Sequence, residues 1–418
     1  MKIMKNRGDL AGRILFGLCL CLMITSCSSE NAKGGAPPIE PEKESTAEAD
    51  NALGGPPSHD SSGSPLSVGL DLFSAPGIYG FATRDYVFVD TTRPTPPNNS
   101  YPGSPVRTLR TRVFYPAWPR GLTASPPPAV PVPIANDGPF PIVAYAHGLT
   151  SRGEPSRYMC EHLATHGYIC AAPLFPLSNG DAPGGPTIAD AASQPGDLNF
   201  VMNRVAQVPD IGPAVDTQKR GILGLSLGGL TVLLATYHPV LKIPNLKASV
   251  AQAPVSCFLG PATFSRPIPT LIIAGTADML VPIEGPEKVF AFAPPKVGLM
   301  KLIGGTHSGF MSTEQPLVVN TDIRACQLLL AAGPQGGDAE LKAAITAGVG
   351  PGAYDSMGCG PLCGQVFTQT MGATRQLKLT RAATLAQFEA VLRGSPIALA
   401  FLTAGLDPQP DVEVSFKF

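Results

Sequence analysis

Gly224-Leu225-Ser226-Leu227-Gly228 decides the fold of this chain of 418 residues. The apolar run 220–223 (RGIL) before it has the length of a buried strand, and the run 229–235 (GLTVLLA) after it suits a buried helix. A serine between such elements sits at a sharp strand-to-helix turn, where the residues two positions before and two after it must be small. We therefore predict that Ser226 ends a central strand.

Strands and helices alternate along the rest of the chain. Further strands are predicted at 85–90, 107–115, 140–146, 168–172, 248–251, 270–274 and 297–303. Helices are predicted at 155–165, 197–206, 284–291 and 384–392. Such alternation is typical of an α/β fold, with a mostly parallel central sheet and helices on both faces. The first two strands are expected to form an antiparallel start to this sheet.

The composition bounds the class of protein. With 44% hydrophobic and 15% charged residues, the chain can bury a large core. A formal net charge of -1 gives no electrostatic reason to expect nucleic acid as a partner. The oligomeric state stays open.

The first residues predict export. Basic residues precede the apolar run 14–23, which is too short to span a bilayer and is typical of a signal peptide. Ile24-Thr25-Ser26-Cys27 resembles the lipobox of bacterial lipoproteins, which implies cleavage after residue 26 and a lipid anchor on Cys27. An ordinary secretory signal is the alternative. Ser28 favours the outer membrane or the cell surface, and a periplasm-facing position stays open.

The chain therefore divides into three segments. A signal peptide is predicted at 1–26, and a lipid anchor with a flexible tether at 27–66, where few large apolar residues occur. A folded domain is predicted at 67–418, with an insertion at about 310–380. Its cysteines are even in number, which favours disulfides of open pairing over zinc ligation: Cys160, Cys170, Cys257, Cys326, Cys359 and Cys363.

A histidine and a carboxylate would make the Ser226 hydroxyl a nucleophile. Where a serine lies in such a turn, the acid and then the histidine follow it in the chain. Of the two histidines after Ser226, His238 is not separated from the serine by a strand and an acid, whereas His307 follows the strand at 297–303. Asp278 comes just after the strand at 270–274 and is the expected acid. Its alternatives are Glu284 and Glu287.

Two backbone N–H groups are expected to bind the oxyanion of a tetrahedral intermediate. One belongs to Leu227, directly after the serine, and the other to Leu149 or, alternatively, to Gly148 in the loop after the strand at 140–146. His147 precedes the acid in the chain, so we interpret it as structural.

These residues resemble the platelet-activating-factor acetylhydrolase and dienelactone hydrolase branch of the α/β-hydrolases, and also bacterial polyester hydrolases. The resemblance covers about residues 75–310 and the last helix, and it departs at Leu225, Leu227 and the insertion. Its parts are Val113-Phe114-Tyr115-Pro116, Ala146-His147-Gly148-Leu149, 163–169 (LATHGYI), Gln194-Pro195-Gly196-Asp197-Leu198, 224–228, 274–278 (AGTAD) and Thr306-His307.

The resemblance implies a serine carboxylic-ester hydrolase that forms an acyl-enzyme on Ser226, with a small-molecule or lipid ester as substrate and with no metal ion or organic cofactor. The alternatives are a phospholipase A2-like acetylhydrolase, a polyester or dienelactone hydrolase, and a binding protein without activity. From their position in the loop 173–186, Phe175 and Leu177 are expected to contact an apolar acyl group.

Overall fold

The computed structural model describes residues 65–125, 130–152, 157–311, 322–331, 336–406 and 408–418. The predicted signal peptide, Cys27 and almost all of the predicted tether lie outside these residues. Within the described ranges, every helix is too short or too polar to cross a lipid bilayer.

A central sheet of ten strands runs through the described residues, in the spatial order β10-β9-β8-β7-β6-β4-β5-β2-β1-β3. The strands are β1 (Gly80–Asp90), β2 (Arg107–Ala117), β3 (Thr123–Ala124), β4 (Phe140–Ala146), β5 (Ile169–Leu174), β6 (Val215–Leu225), β7 (Ala248–Gln252), β8 (Thr270–Gly275), β9 (Val297–Leu302) and β10 (Val412–Lys417).

Strands β5, β4, β6, β7, β8 and β9 are mutually parallel neighbours. Strand β2 is antiparallel to both β1 and β5. The predicted mostly parallel sheet with an antiparallel start is therefore confirmed. Because parallel strands have their carboxyl ends at one edge, the loops after β4, β6, β8 and β9 emerge side by side.

Helices cover both faces of this sheet, as predicted. The helices are α1 (Pro65–Ser74), α2 (Arg157–Thr165), α3 (Gln194–Val205), α4 (Leu227–Tyr237), α5 (Glu284–Phe292), α6 (Asp322–Ala331), α7 (Asp338–Thr346), α8 (Ala373–Leu392) and α9 (Pro396–Ala400). Alternate residues of β4 face opposite sides: Ile142 belongs to the core cluster that includes residues of α3, α4, α5 and α7, whereas Val143 belongs to the cluster that includes residues of α1, α2, α8 and α9.

At the C-terminal end, one predicted boundary was wrong and one strand was not predicted. Helix α8 begins at Ala373 and not at residue 384, so the last part of the predicted insertion is the start of a core helix. The run 373–383 (ATRQLKLTRAA) consists mostly of good helix formers. Its apolar residues Leu379, Ala382 and Ala383 belong to the same core cluster as residues of the central sheet. Strand β10 was not predicted, because a short edge strand becomes recognisable only through its antiparallel pairing with β9.

All six cysteines of the folded domain form disulfides. The bond Cys160–Cys170 joins α2 to β5. The insertion is taken from here on as residues 311–372. The bond Cys326–Cys363 lies within it, and the bond Cys257–Cys359 joins it to the rest of the domain. The predicted preference for disulfides is confirmed, and their pairing is now defined.

Candidate active site

Ser226 occupies a strained turn between β6 and α4. Its φ and ψ angles are 61° and −118°, a backbone conformation that residues other than glycine rarely adopt. Tertiary hydrogen bonds fix this conformation: Ser226 N–H donates to the carbonyl of Gln252 at 2.9 Å, and Ser226 C=O accepts from Val255 N–H at 3.2 Å. Ser226 itself is only partly buried.

The two glycines of the pentapeptide have no room for a side chain. A Cβ atom on Gly224 would stand 2.4 Å from the carbonyl oxygen of Gly228. A Cβ atom on Gly228 would stand 2.0 Å from the carbonyl oxygen of Ala146, at the end of β4. The need for small residues, expected from the sequence, therefore arises from two close contacts: one lies within the turn, and the other is with the neighbouring strand.

The loop after β4 lies directly against the serine. A Cβ atom on Gly148 would be 3.3 Å from Ser226 Cβ and 3.9 Å from Ser226 Oγ. Among the described residues, no acceptor takes the N–H of Leu149. Leu227 is the first residue of α4, so its N–H has no acceptor within the helix. Neither amide therefore has a hydrogen-bond acceptor among the described residues.

His147 braces this loop. Its Nδ1–H donates to the carbonyl of Gly148 at 2.8 Å, and its Nε2 accepts from the N–H of Phe175 at 3.0 Å. These two bonds require the neutral imidazole, because a protonated ring would bring two donors together at Nε2. Burial lowers the pKa of His147 and favours the same form.

His307 and Asp278 form a buried pair. His307 Nδ1 lies 2.7 Å from Asp278 Oδ2, and the residues are 6% and 1% exposed. The other carboxylate oxygen, Oδ1, accepts from the N–H groups of Leu280 at 2.9 Å and Val281 at 2.7 Å. Nδ1 therefore carries the proton, and Nε2 is left to act as a base.

Electrostatic effects compete at this pair. Burial lowers the pKa of His307, but the carboxylates of Asp278 and Asp322 outweigh burial and raise that pKa above its usual value. For Asp278, burial is the largest influence and raises the pKa of its carboxyl group, while the hydrogen bond from His307 opposes it.

The serine shares the carboxyl edge of the sheet with this pair. Ser226 follows β6, Asp278 follows β8 and His307 follows β9, and only β7 lies between β6 and β8. Among the described residues, no hydrogen bond joins Ser226 Oγ to His307 Nε2. Such bonds are often long in unliganded enzymes and tighten when substrate binds.

Two polar residues at this edge were not foreseen. Gln376 of α8 accepts from the N–H of Thr306 at 3.0 Å and donates to its carbonyl at 2.7 Å, directly before His307. The carboxylate of Asp322 accepts from the N–H of His307 at 2.9 Å. Neither residue has a motif or a regular spacing that would identify it in the sequence.

The remaining candidates lie elsewhere. Phe175 and Leu177 are buried, with 0% and 3% exposure, so neither forms an open surface for an acyl group. Glu287 pairs with Lys301 at 2.7 Å. His238 donates from Nε2 to the carbonyl of Ile345. The expected contact of Phe175 and Leu177 with an apolar acyl group stays a prediction.

A cavity of about 250 Å³ adjoins the loop after β4. It is lined by His147 and Arg152 of the loop and by Arg110 and Arg112 of β2, among others. Ser226 is not among its lining residues, so this cavity does not enclose the serine.

Comparison with known protein families and with curated proteins finds no match. Among solved structures, the chain is similar to a ferulic acid esterase from Streptomyces cinnamoneus, with 19% sequence identity and a TM-score of 0.54. The similarity covers 82% of this chain and 98% of the esterase chain. Together with the sheet order and the turn at Ser226, it shows that this chain has the α/β-hydrolase fold.

Proposed function

We propose that this chain is a serine carboxylic-ester hydrolase that forms an acyl-enzyme on Ser226. The observation that carries the proposal is the buried bond between His307 Nδ1 and Asp278 Oδ2, at the sheet edge where Ser226 holds its strained backbone. A ferulic acid esterase among the solved structures of the same fold supports ester chemistry.

In the first half-reaction, His307 Nε2 takes the proton of Ser226 Oγ as Oγ attacks the ester carbonyl carbon. The carbonyl oxygen becomes an oxyanion, which accepts hydrogen bonds from the N–H groups of Leu149 and Leu227. His307 then gives its proton to the departing alkoxide, the carbon–oxygen bond breaks and an alcohol leaves. The acyl group remains on Ser226.

In the second half-reaction, His307 Nε2 takes a proton from water, and the resulting hydroxide attacks the acyl carbon. The same two N–H groups stabilise the second oxyanion. The bond between the acyl carbon and Ser226 Oγ then breaks, His307 returns the proton to Oγ, and a carboxylic acid leaves. Throughout, Asp278 holds the imidazole orientation and stabilises the imidazolium, while Leu280 and Val281 hold the carboxylate.

The substrate class within esters follows from the resemblance rather than from a described pocket. A simple carboxylic ester is our principal proposal, and short-chain phospholipids, polyesters and dienelactones are the alternatives. A panel of p-nitrophenyl esters of increasing acyl length, run beside a short-chain phospholipid and a polyester film, separates them. Turnover confined to the phospholipid would replace the principal proposal by the acetylhydrolase alternative.

The test of the function itself uses p-nitrophenyl acetate and butyrate with the wild type and with Ser226→Ala, His307→Ala and Asp278→Asn. We expect turnover by the wild type, and a loss of at least about 1000-fold in kcat for the serine and histidine variants. A wild-type chain that is folded and inactive on every ester of the panel would favour a binding protein.

We also propose that the chain is exported and anchored through a lipid on Cys27. The support is the basic and apolar run before Ile24-Thr25-Ser26-Cys27. Cys27→Ala should move the protein from the membrane fraction to the soluble fraction of a bacterial host and remove the lipid mass. An equal membrane fraction for both forms would contradict the anchor.

A further inference from the structure

Asp322 is a buried carboxylate that joins the two loops of the His307–Asp278 pair. It is the first residue of α6, in the insertion, and it is 0% exposed. Its Oδ2 accepts from the N–H of His307 at 2.9 Å and from the N–H of Met279 at 3.2 Å. Its Oδ1 accepts from the N–H of Ser308 at 2.8 Å.

These three donors lie in the loops that follow two different strands of the sheet. Met279 directly follows the acid Asp278 in the loop after β8, whereas His307 and Ser308 lie in the loop after β9. One side chain therefore sets the distance between the backbone that carries the acid and the backbone that carries the base. A hydrogen bond from each loop to a charged acceptor is stronger than a bond between neutral groups.

The insertion holds the acid loop from a second side. The N–H of Cys363 donates to the carbonyl of Met279 at 2.8 Å, and Cys363 is bonded to Cys326, which lies one helical turn after Asp322 in α6. The backbone of Met279 is thus bound by its N–H to one end of a disulfide-closed unit and by its C=O to the other end.

We propose that Asp322 is a positioning residue for the proposed ester hydrolysis, fixing His307 relative to Asp278, and that the Cys326–Cys363 disulfide holds Asp322 in place. The inference rests on the proposed function. It gives the insertion a role in catalysis, although the insertion supplies neither the serine, the acid nor the base.

The charge of Asp322 provides a signature that a purely structural role lacks. The charged groups acting on His307 are Asp278, from the loop after β8, and Asp322, from α6. From α8, the side chain facing the histidine loop is Gln376, which carries no charge. Removing the charge of Asp322 therefore removes one of the two carboxylates that favour the imidazolium.

Asp322→Asn tests the proposal with little change in volume. The amide keeps one acceptor oxygen, so only part of the backbone network is lost, whereas Asp322→Ala removes every acceptor and can fail to fold. The matched control is Asp355→Asn, an insertion carboxylate that bonds Lys288 and the N–H of Met357 away from the site. Thermal unfolding of each variant establishes that it is folded.

The readout is the pH dependence of kcat/KM on p-nitrophenyl butyrate, measured with the full folded domain. For Asp322→Asn we expect kcat and kcat/KM to fall together by about 10- to 100-fold with KM unchanged. We also expect the acidic limb of the profile to move to lower pH, while Asp355→Asn matches the wild type.

Wild-type kcat and an unmoved acidic limb in a folded Asp322→Asn variant would overturn the proposal. A lowered kcat with an unmoved limb would also overturn it, because the substitution would then act on the surrounding fold and not on His307. Failure of the proposed function is distinguishable, since the wild type and the Asp355→Asn control would then be inactive as well.

Discussion

Gly228 packs against Ala146 so closely that any side chain at residue 228 would overlap the carbonyl oxygen at the end of β4. This contact couples the turn that carries Ser226 to the loop that carries Leu149. The proposed nucleophile and one proposed oxyanion donor are therefore positioned by the same close contact between two backbone segments, so a change that displaces one segment displaces the other.

Gly228→Ala should consequently damage both stability and activity. The added methyl group must displace β4 or the turn, at a cost of about 3 kcal/mol or more. Gly360→Ala is the matched control, because a Cβ atom there meets nothing within 4 Å. Chemical unfolding and p-nitrophenyl butyrate turnover measure the two effects. Equal stability of the two variants would contradict the packing argument.

The acidic limb of the kcat/KM profile should lie above pH 6.5, the ordinary pKa of histidine. His307 acts as a base only when Nε2 is unprotonated, so activity is lost as pH falls through the pKa of His307. Asp278 and Asp322 raise that pKa, which moves the loss toward higher pH. A rate that stays constant from pH 8 to pH 4 would exclude His307 as the base.

His147→Ala should lower kcat while leaving KM almost unchanged. Without the bonds to Gly148 and Phe175, the loop that carries Leu149 loses its brace, and loss of one oxyanion donor typically costs about 3 kcal/mol of transition-state stabilisation. The control is His238→Ala, which removes a buried histidine bonded to Ile345 and should lower stability alone. Similar kcat values for both variants would contradict the claim that His147 holds the loop that carries Leu149 in place.

Removal of the Cys326–Cys363 disulfide should impair catalysis more than removal of Cys160–Cys170. By loop length the two bonds stabilise the fold similarly, by about 4 and about 3 kcal/mol, for sequence separations of 37 and 10 residues. Only the first holds α6 and Asp322 against the histidine loop. Double alanine variants, compared below their unfolding temperatures, test this: matching kcat values would contradict it.

Much of the sheet could be predicted because buried strands are continuous apolar runs and the turn at Ser226 has a steric signature. The choice of Ser226, Asp278 and His307 as candidates also followed from the sequence, since each of them lies in the turn or loop after a predicted strand. These are local patterns, read from residues that are neighbours in sequence.

The residues that hold the loops of the site in place could not be predicted in the same way. Asp322 is separated by 15 residues from His307 and by 43 from Met279, and Gln376 is separated by 70 residues from Thr306, so these contacts exist only in the folded chain. The start of α8 was missed because its first turns follow that insertion without a break in composition. Disulfide pairing likewise depends on which loops meet in space.

Covalent trapping of the nucleophile tests the central claim most directly. The folded wild type, treated with a fluorophosphonate and analysed by intact mass and peptide mapping, should gain one label on Ser226, with Ser226→Ala gaining none. Labelling should slow at acid pH as His307 becomes protonated. A folded wild-type protein that stays unlabelled, or a Ser226→Ala variant that labels at the wild-type rate, would contradict the proposal that Ser226 is the nucleophile of an ester hydrolase.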